Sequence, residues 1–204
     1  MEFEPNKRLE IIHFGKYDWL VLKREKDHML LLMEDVLEEE ISYFMPGDAP
    51  FWEDCNLRSW LNEDFYDTFT SEEQARILET QREDGAYSVD CEGCKMREHR
   101  EDGEEPYSSC MSNPESYGCD TYDKIFLLTK GEAEKYLTSL DRAAQNSWWL
   151  MTYAITESFM EHTQYEMFVT RSGDIDYCPG GLDGLGFRPA LNLKYNEIHA
   201  DTPQ

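Results

Sequence analysis

From Thr80 to Thr121 the chain carries no Leu, Ile, Phe or Trp, and its 11 acidic residues outnumber 4 basic ones, a net charge of −7. A segment of that composition cannot bury enough apolar surface to offset the entropy of ordering it. It therefore reads as an insertion carried by a core that the flanking residues must build. The flanks have the means: 40% of the 204 residues are hydrophobic and 13% aromatic, with 5 Trp, 12 Tyr and 10 Phe. A single domain over residues 1–204, with a cysteine-containing insertion at 80–121, is the organisation this predicts.

The N-terminal flank reads as short strands. Residues 9–14 (LEIIHF) and 17–24 (YDWLVLKR) are apolar runs separated by Gly15-Lys16, the signature of a hairpin. After a turn at Asp27-His28, Met29 to Met33 is apolar throughout, which predicts a central strand covered on both faces and completes a meander. Glu34 to Ile41 turns acidic and predicts a loop or a short helix. From Asp54 to Phe69 the period changes. Leu57, Trp60, Leu61 and Phe65 share one helical face, with Asp54 or Asn56 as N-cap. A second helix is predicted at 71–79, opened by a capping box from Ser71 and Gln74 or from Thr70 and Glu73.

Beyond the insertion, Asp123 to Leu128 predicts a core strand, and Thr129 with Glu132 forms a capping box opening a helix through Leu137. Glu166 to Thr170 and Asp174 to Tyr177, around Arg171-Ser172-Gly173, predict another hairpin. Near the end, Phe187, Pro189, Leu191 and Leu193 alternate with Arg188, Ala190 and Asn192, the period of a half-buried strand. Pro189 cannot donate to a ladder and puts that strand at an edge or a bulge. Trp148 and Trp149, adjacent on an extended segment, would face opposite ways, one inward and one toward a surface or cleft. Residues 151–185 read as a long polar excursion, the kind of loop where function sits. Strands and helices are segregated, so the class is α+β, with a twisted, mostly antiparallel sheet and flanking helices.

With 43 acidic and 19 basic residues the formal charge is −24 and the pI near 4.4. A field of that sign repels nucleic-acid phosphates and anionic lipid, so neither nucleic acid nor membrane is expected as a partner. The charge serves solubility, or it recruits a basic partner. The opening residues lack the basic region and apolar run of a secretory signal. No stretch approaches the ~18 consecutive apolar residues of a membrane span. A cytoplasmic location is expected.

Six cysteines in a reducing compartment favour metal or free thiols over disulfides. Cys91-Glu92-Gly93-Cys94 presents two thiolates on one turn, and Cys110 and Cys119 could close a structural four-cysteine site, with zinc as the expected ion. Ion binding would then supply the folding free energy that the missing apolar residues cannot. The later two are spaced more widely than in a zinc ribbon, so disulfides and uncoordinated thiols stay open, and His99 is a substitute ligand. Asp174, Asp176 and Asp183 could hold calcium but read more simply as turn formers. Gly180 to Gly186 is glycine-rich but precedes a strand, which fails the phosphate-loop pattern. Arg188 is predicted to be partly buried, a fork tying the final strand to the long loop, with ligand binding as the alternative.

Five blocks stand in order along the chain: Phe14-Gly15-Lys16-Tyr17-Asp18-Trp19-Leu20-Val21-Leu22, Leu57-Arg58-Ser59-Trp60-Leu61-Asn62 with Phe65-Tyr66, Asp123-Lys124-Ile125-Phe126-Leu127-Leu128, Trp148-Trp149-Leu150 and Gly186-Phe187-Arg188-Pro189-Ala190-Leu191. Together they resemble the blocks of a family of bacterial domains of unknown function common in gut Firmicutes. That family is similar to the C-type-lectin-like fold of formylglycine-generating enzymes and of variable proteins of diversity-generating retroelements. The resemblance covers residues 9–194 apart from the insertion and implies a C-type-lectin-like fold more securely than any function. It departs at Met151, where the family usually has an arginine. Because formylglycine-generating enzymes use a cysteine pair, Cys55 and Cys178 raise an oxidase of that type. Neither lies in a block matching that enzyme motif, and lone cysteines are most often small buried hydrophobes.

The preferred expectation is a non-catalytic module binding a protein or carbohydrate ligand through Trp148, Trp149, Tyr153, Phe159, Tyr165 and Arg188. A structural zinc would sit at Cys91, Cys94, Cys110 and Cys119. The alternatives are the oxidase and an acidic interaction protein recruiting a basic partner.

Overall fold

The computed structural model describes residues 9–38, 52–82, 86–88, 120–158, 161–179 and 184–195, of which 86–88, 154–158, 161–165 and 178–179 are described by their backbone. The first three strands, β1 (Ile11–Phe14), β2 (Tyr17–Arg24) and β3 (His28–Met33), form the expected antiparallel meander. The β1–β2 turn needs its glycine: Gly15 has φ 63°, and a Cβ there would lie 2.7 Å from the Phe69 ring. Every residue of β3 after His28 is buried, as a strand covered on both faces should be.

α1 (Asn56–Trp60) runs on through a π-type turn at Leu61–Phe65 and a 3-10 turn at Tyr66–Thr68, burying the predicted Leu57, Leu61 and Phe65. Its N-cap is Cys55, not Asp54 or Asn56. α2 (Ser71–Gln74) takes the Thr70 and Glu73 capping box and ends well short of 79. The reason lies downstream: Ile77 and Leu78 form β4 (Ile77–Leu78), captured by the last strand, β12 (Ala190–Lys194). The first sheet has the order β1-β2-β3-β12-β4. The closing strand is therefore central and not at an edge.

Pro189 acts differently from the expectation too, because it divides the stretch. Before it, β11 (Gly186–Phe187) pairs in parallel with β8 (Trp148–Ser158) in a second sheet. After it, β12 enters the first sheet. The proline, lacking an N–H, stands at the crossing between ladders, where no donor is required of it. Its carbonyl accepts from Met33 N at 2.8 Å.

The predicted excursion at 151–185 is mostly strand. β8 runs to Ser158, β9 (Glu161–Val169) returns along it, and β10 (Ile175–Pro179) completes the expected second hairpin. The second sheet has the order β10-β9-β8-β11, with β6 (Ala86–Ser88) also pairing with β8, in parallel. A third ladder joins β5 (Thr80–Arg82) to β7 (Thr121–Asp123). Ile125 to Leu128 are buried, but only Phe126 bridges, to Ala190. α3 (Lys130–Tyr136) carries the predicted capping box of Thr129 and Glu132, and α4 (Ser139–Arg142) a second one of Thr138 and Asp141. Helices beside mostly antiparallel sheets make this an α+β fold, with one hydrophobic core drawing on both large sheets.

Candidate functional site

The base of the insertion is built from buried charge. Asp123, at the end of β7, accepts hydrogen bonds from Trp52 Nε1 (2.8 Å), Arg58 Nε (2.7 Å) and Thr121 Oγ1 (2.6 Å). Arg58 also donates to the Glu53 carbonyl at 2.9 Å, and Asn62 fastens the next residues by accepting from Lys124 N at 2.7 Å. On the opposite strand, Arg82 forms a fork with both Glu132 oxygens, at 2.8 and 2.5 Å, while its guanidinium lies 4.2 Å from the Phe126 ring centroid. Burial would raise the Glu132 pKa, but the bonds and charge of Arg82, with the Thr129 backbone, hold it below the usual carboxylate range. β5 and β7 thus form a rigid ladder in which Arg82 faces Thr121 and Gln81 Nε2 reaches Asp120 at 3.1 Å.

Of the predicted ligand-binding aromatics, Trp148, Trp149 and Tyr153 lie inside. Trp148 is 0% exposed, Trp149 4% and Tyr153 2%, so neither tryptophan faces a cleft. The expectation that one would reach a surface fails because β8 is covered on both faces from Trp148 to Tyr153. Trp148 donates from Nε1 to the Arg142 carbonyl at 3.0 Å under the Arg188 guanidinium, and Trp149 packs edge-on against Phe168. Arg188 is 2% exposed and donates to the carbonyls of Met33 (2.9 Å) and Asp141 (3.3 Å). It ties β11 to the end of β3 and to α4, not to the long loop. Burial lowers its pKa to about 10, partly offset by Glu34, Asp35 and Asp141, so it remains a cation at neutral pH.

Sequence periodicity did not reveal which strand ends come together. β6, β8 and β10 run in the same direction, with Tyr87 opposite Ala154, Ala154 opposite Tyr165 and Tyr165 opposite Pro179. The chain leaves the second sheet after Ser88, after Ser158 and after Pro179, all at the same end. A three-residue strand inside a charged insertion carries no periodic signal, and its parallel partner is far away in sequence. Tyr165 belongs to this row.

Cys55 is buried in the core, and burial pushes its thiol up to about 12, opposed by weaker hydrogen bonds from the backbone of Arg58 and Leu57. It is protonated at neutral pH, the wrong state for a nucleophile or a metal ligand. Cys178 stands on β10 opposite Glu166. Cys91, Cys94, His99, Cys110, Cys119, Phe159 and Asp183 lie outside the described residues. Among the described residues no group of three or more His, Cys, Asp or Glu could hold a metal ion. Asp174 accepts from Ser172 Oγ at 2.8 Å in the β9–β10 turn, the turn-forming role expected of it. Among the described residues no helix is long and apolar enough to cross a membrane.

No curated protein and no solved structure matches the chain. Residues 26–195, from the β2–β3 turn to the end of β12, match the family described as Domain of unknown function (DUF6273). The span includes the Asp123 hub, the crossing at Arg188, the second sheet and strands β3, β4 and β12 of the first, and the chain belongs to that family.

Proposed function

We propose that this is a non-catalytic binding module of C-type-lectin-like fold, of bacterial origin, recognising a protein or carbohydrate ligand at the end of the second sheet where β6, β8 and β10 terminate. What supports this reading is that β6, β8 and β10 run in the same direction and end toward the same side of the second sheet. Segments delivered side by side by fixed strands are a common basis for recognition. In this reading Trp148, Trp149, Tyr153 and Arg188 hold the platform in place from within, and Tyr165 stands on β9 opposite Pro179 near its end. The buried charges described above have scaffold partners: Asp123 serves Trp52, Arg58 and Thr121, and Glu132 serves Arg82. In the same reading a structural zinc on Cys91, Cys94, Cys110 and Cys119 orders the insertion close to the anchored β6.

The test is a screen of the full chain against a glycan array and a displayed peptide library. A specific ligand should emerge whose capture is lost when residues 157–162 are replaced by a short turn and kept in Cys55→Ala. Capture unchanged without that tip, or no ligand from either screen, overturns the reading. Turnover of a peptide thiol that disappears in Cys178→Ser would replace it with the oxidase alternative.

A further inference from the structure

We draw no further inference here: the strongest candidate, the outer face of the β5–β7 ladder at the base of the insertion, where Tyr122 is 62% exposed opposite Gln81, is a sheet face with nothing in the structure to show what covers it.

Discussion

The guanidinium of Arg188 lies over the indole of Trp148, its Cζ 5.2 Å from the ring centroid. One residue sits where the chain crosses between the two large sheets and the other opens β8, so this contact joins the sheets at their junction. Both side chains are buried, and Arg188 keeps its charge there through backbone carbonyls and a ring face.

Arg188→Ala removes the stacking partner and leaves the Met33 and Asp141 carbonyls without their donor. A loss of about 3 kcal/mol or more is expected from the void and the lost charge-assisted bonds. Arg188→Lys should also be destabilised, because an ammonium cannot reproduce the planar fork. Urea titration measures both, and full stability of the alanine variant would contradict this account of the junction.

Asp123→Ala leaves Arg58 and Trp52 facing an apolar gap where a carboxylate stood. Removing one member of a buried charge pair costs about 3–5 kcal/mol, so this should be among the most damaging single changes in the fold. Asp123→Asn should cost less, since it keeps the shape and one acceptor oxygen. Denaturation midpoints of the two variants, compared at equal m, give the ranking.

Acid should weaken the Arg82–Glu132 fork. Glu132 has its folded pKa below the ordinary 4.5, so the stabilisation is fully present above that value and disappears as pH falls through the lower folded one. Glu132→Gln should cost about 2 kcal/mol at neutral pH, reflecting a pair that is largely but not wholly buried. Stability measured from pH ~3 to 7 should slope less steeply in the variant at the acid end; an identical slope would mean that Glu132 does not carry the effect.

If zinc orders the insertion, the purified protein should contain about one ion per chain, lost in Cys91→Ser together with Cys94→Ser. Metal analysis combined with thiol titration decides it. No zinc and four titratable thiols would leave the insertion without its proposed staple.

What could be read from the residues was local. Gly15-Lys16 between two apolar runs announced β1 and β2, and Thr129 with Glu132 announced α3, because a turn and a capping box are complete within a few residues. What escaped depended on distant partners. The 71–79 helix stops at Gln74 because β12 takes Ile77, and nothing near Ile77 states this. Ile125 to Leu128 read as a strand from their unbroken apolar run, yet burial without a ladder gives the same run. At the candidate site Tyr165 was legible as a binding aromatic of the 151–185 excursion, but its place on β9 was not, because the alternation that marks the hairpin starts only at Glu166. Tyr87 was not legible at all, because its strand is short and pairs across the insertion.

The β5–β7 pairing sets Arg82 directly across from Thr121, so the polypeptide departs and re-enters the scaffold at adjacent points. Closing a longer excursion between such points costs only about 0.6 kcal/mol for each doubling of its length. Apart from β6, which pairs with β8, sequence there can be exchanged like a cassette, and new specificities can be tried without renegotiating the core.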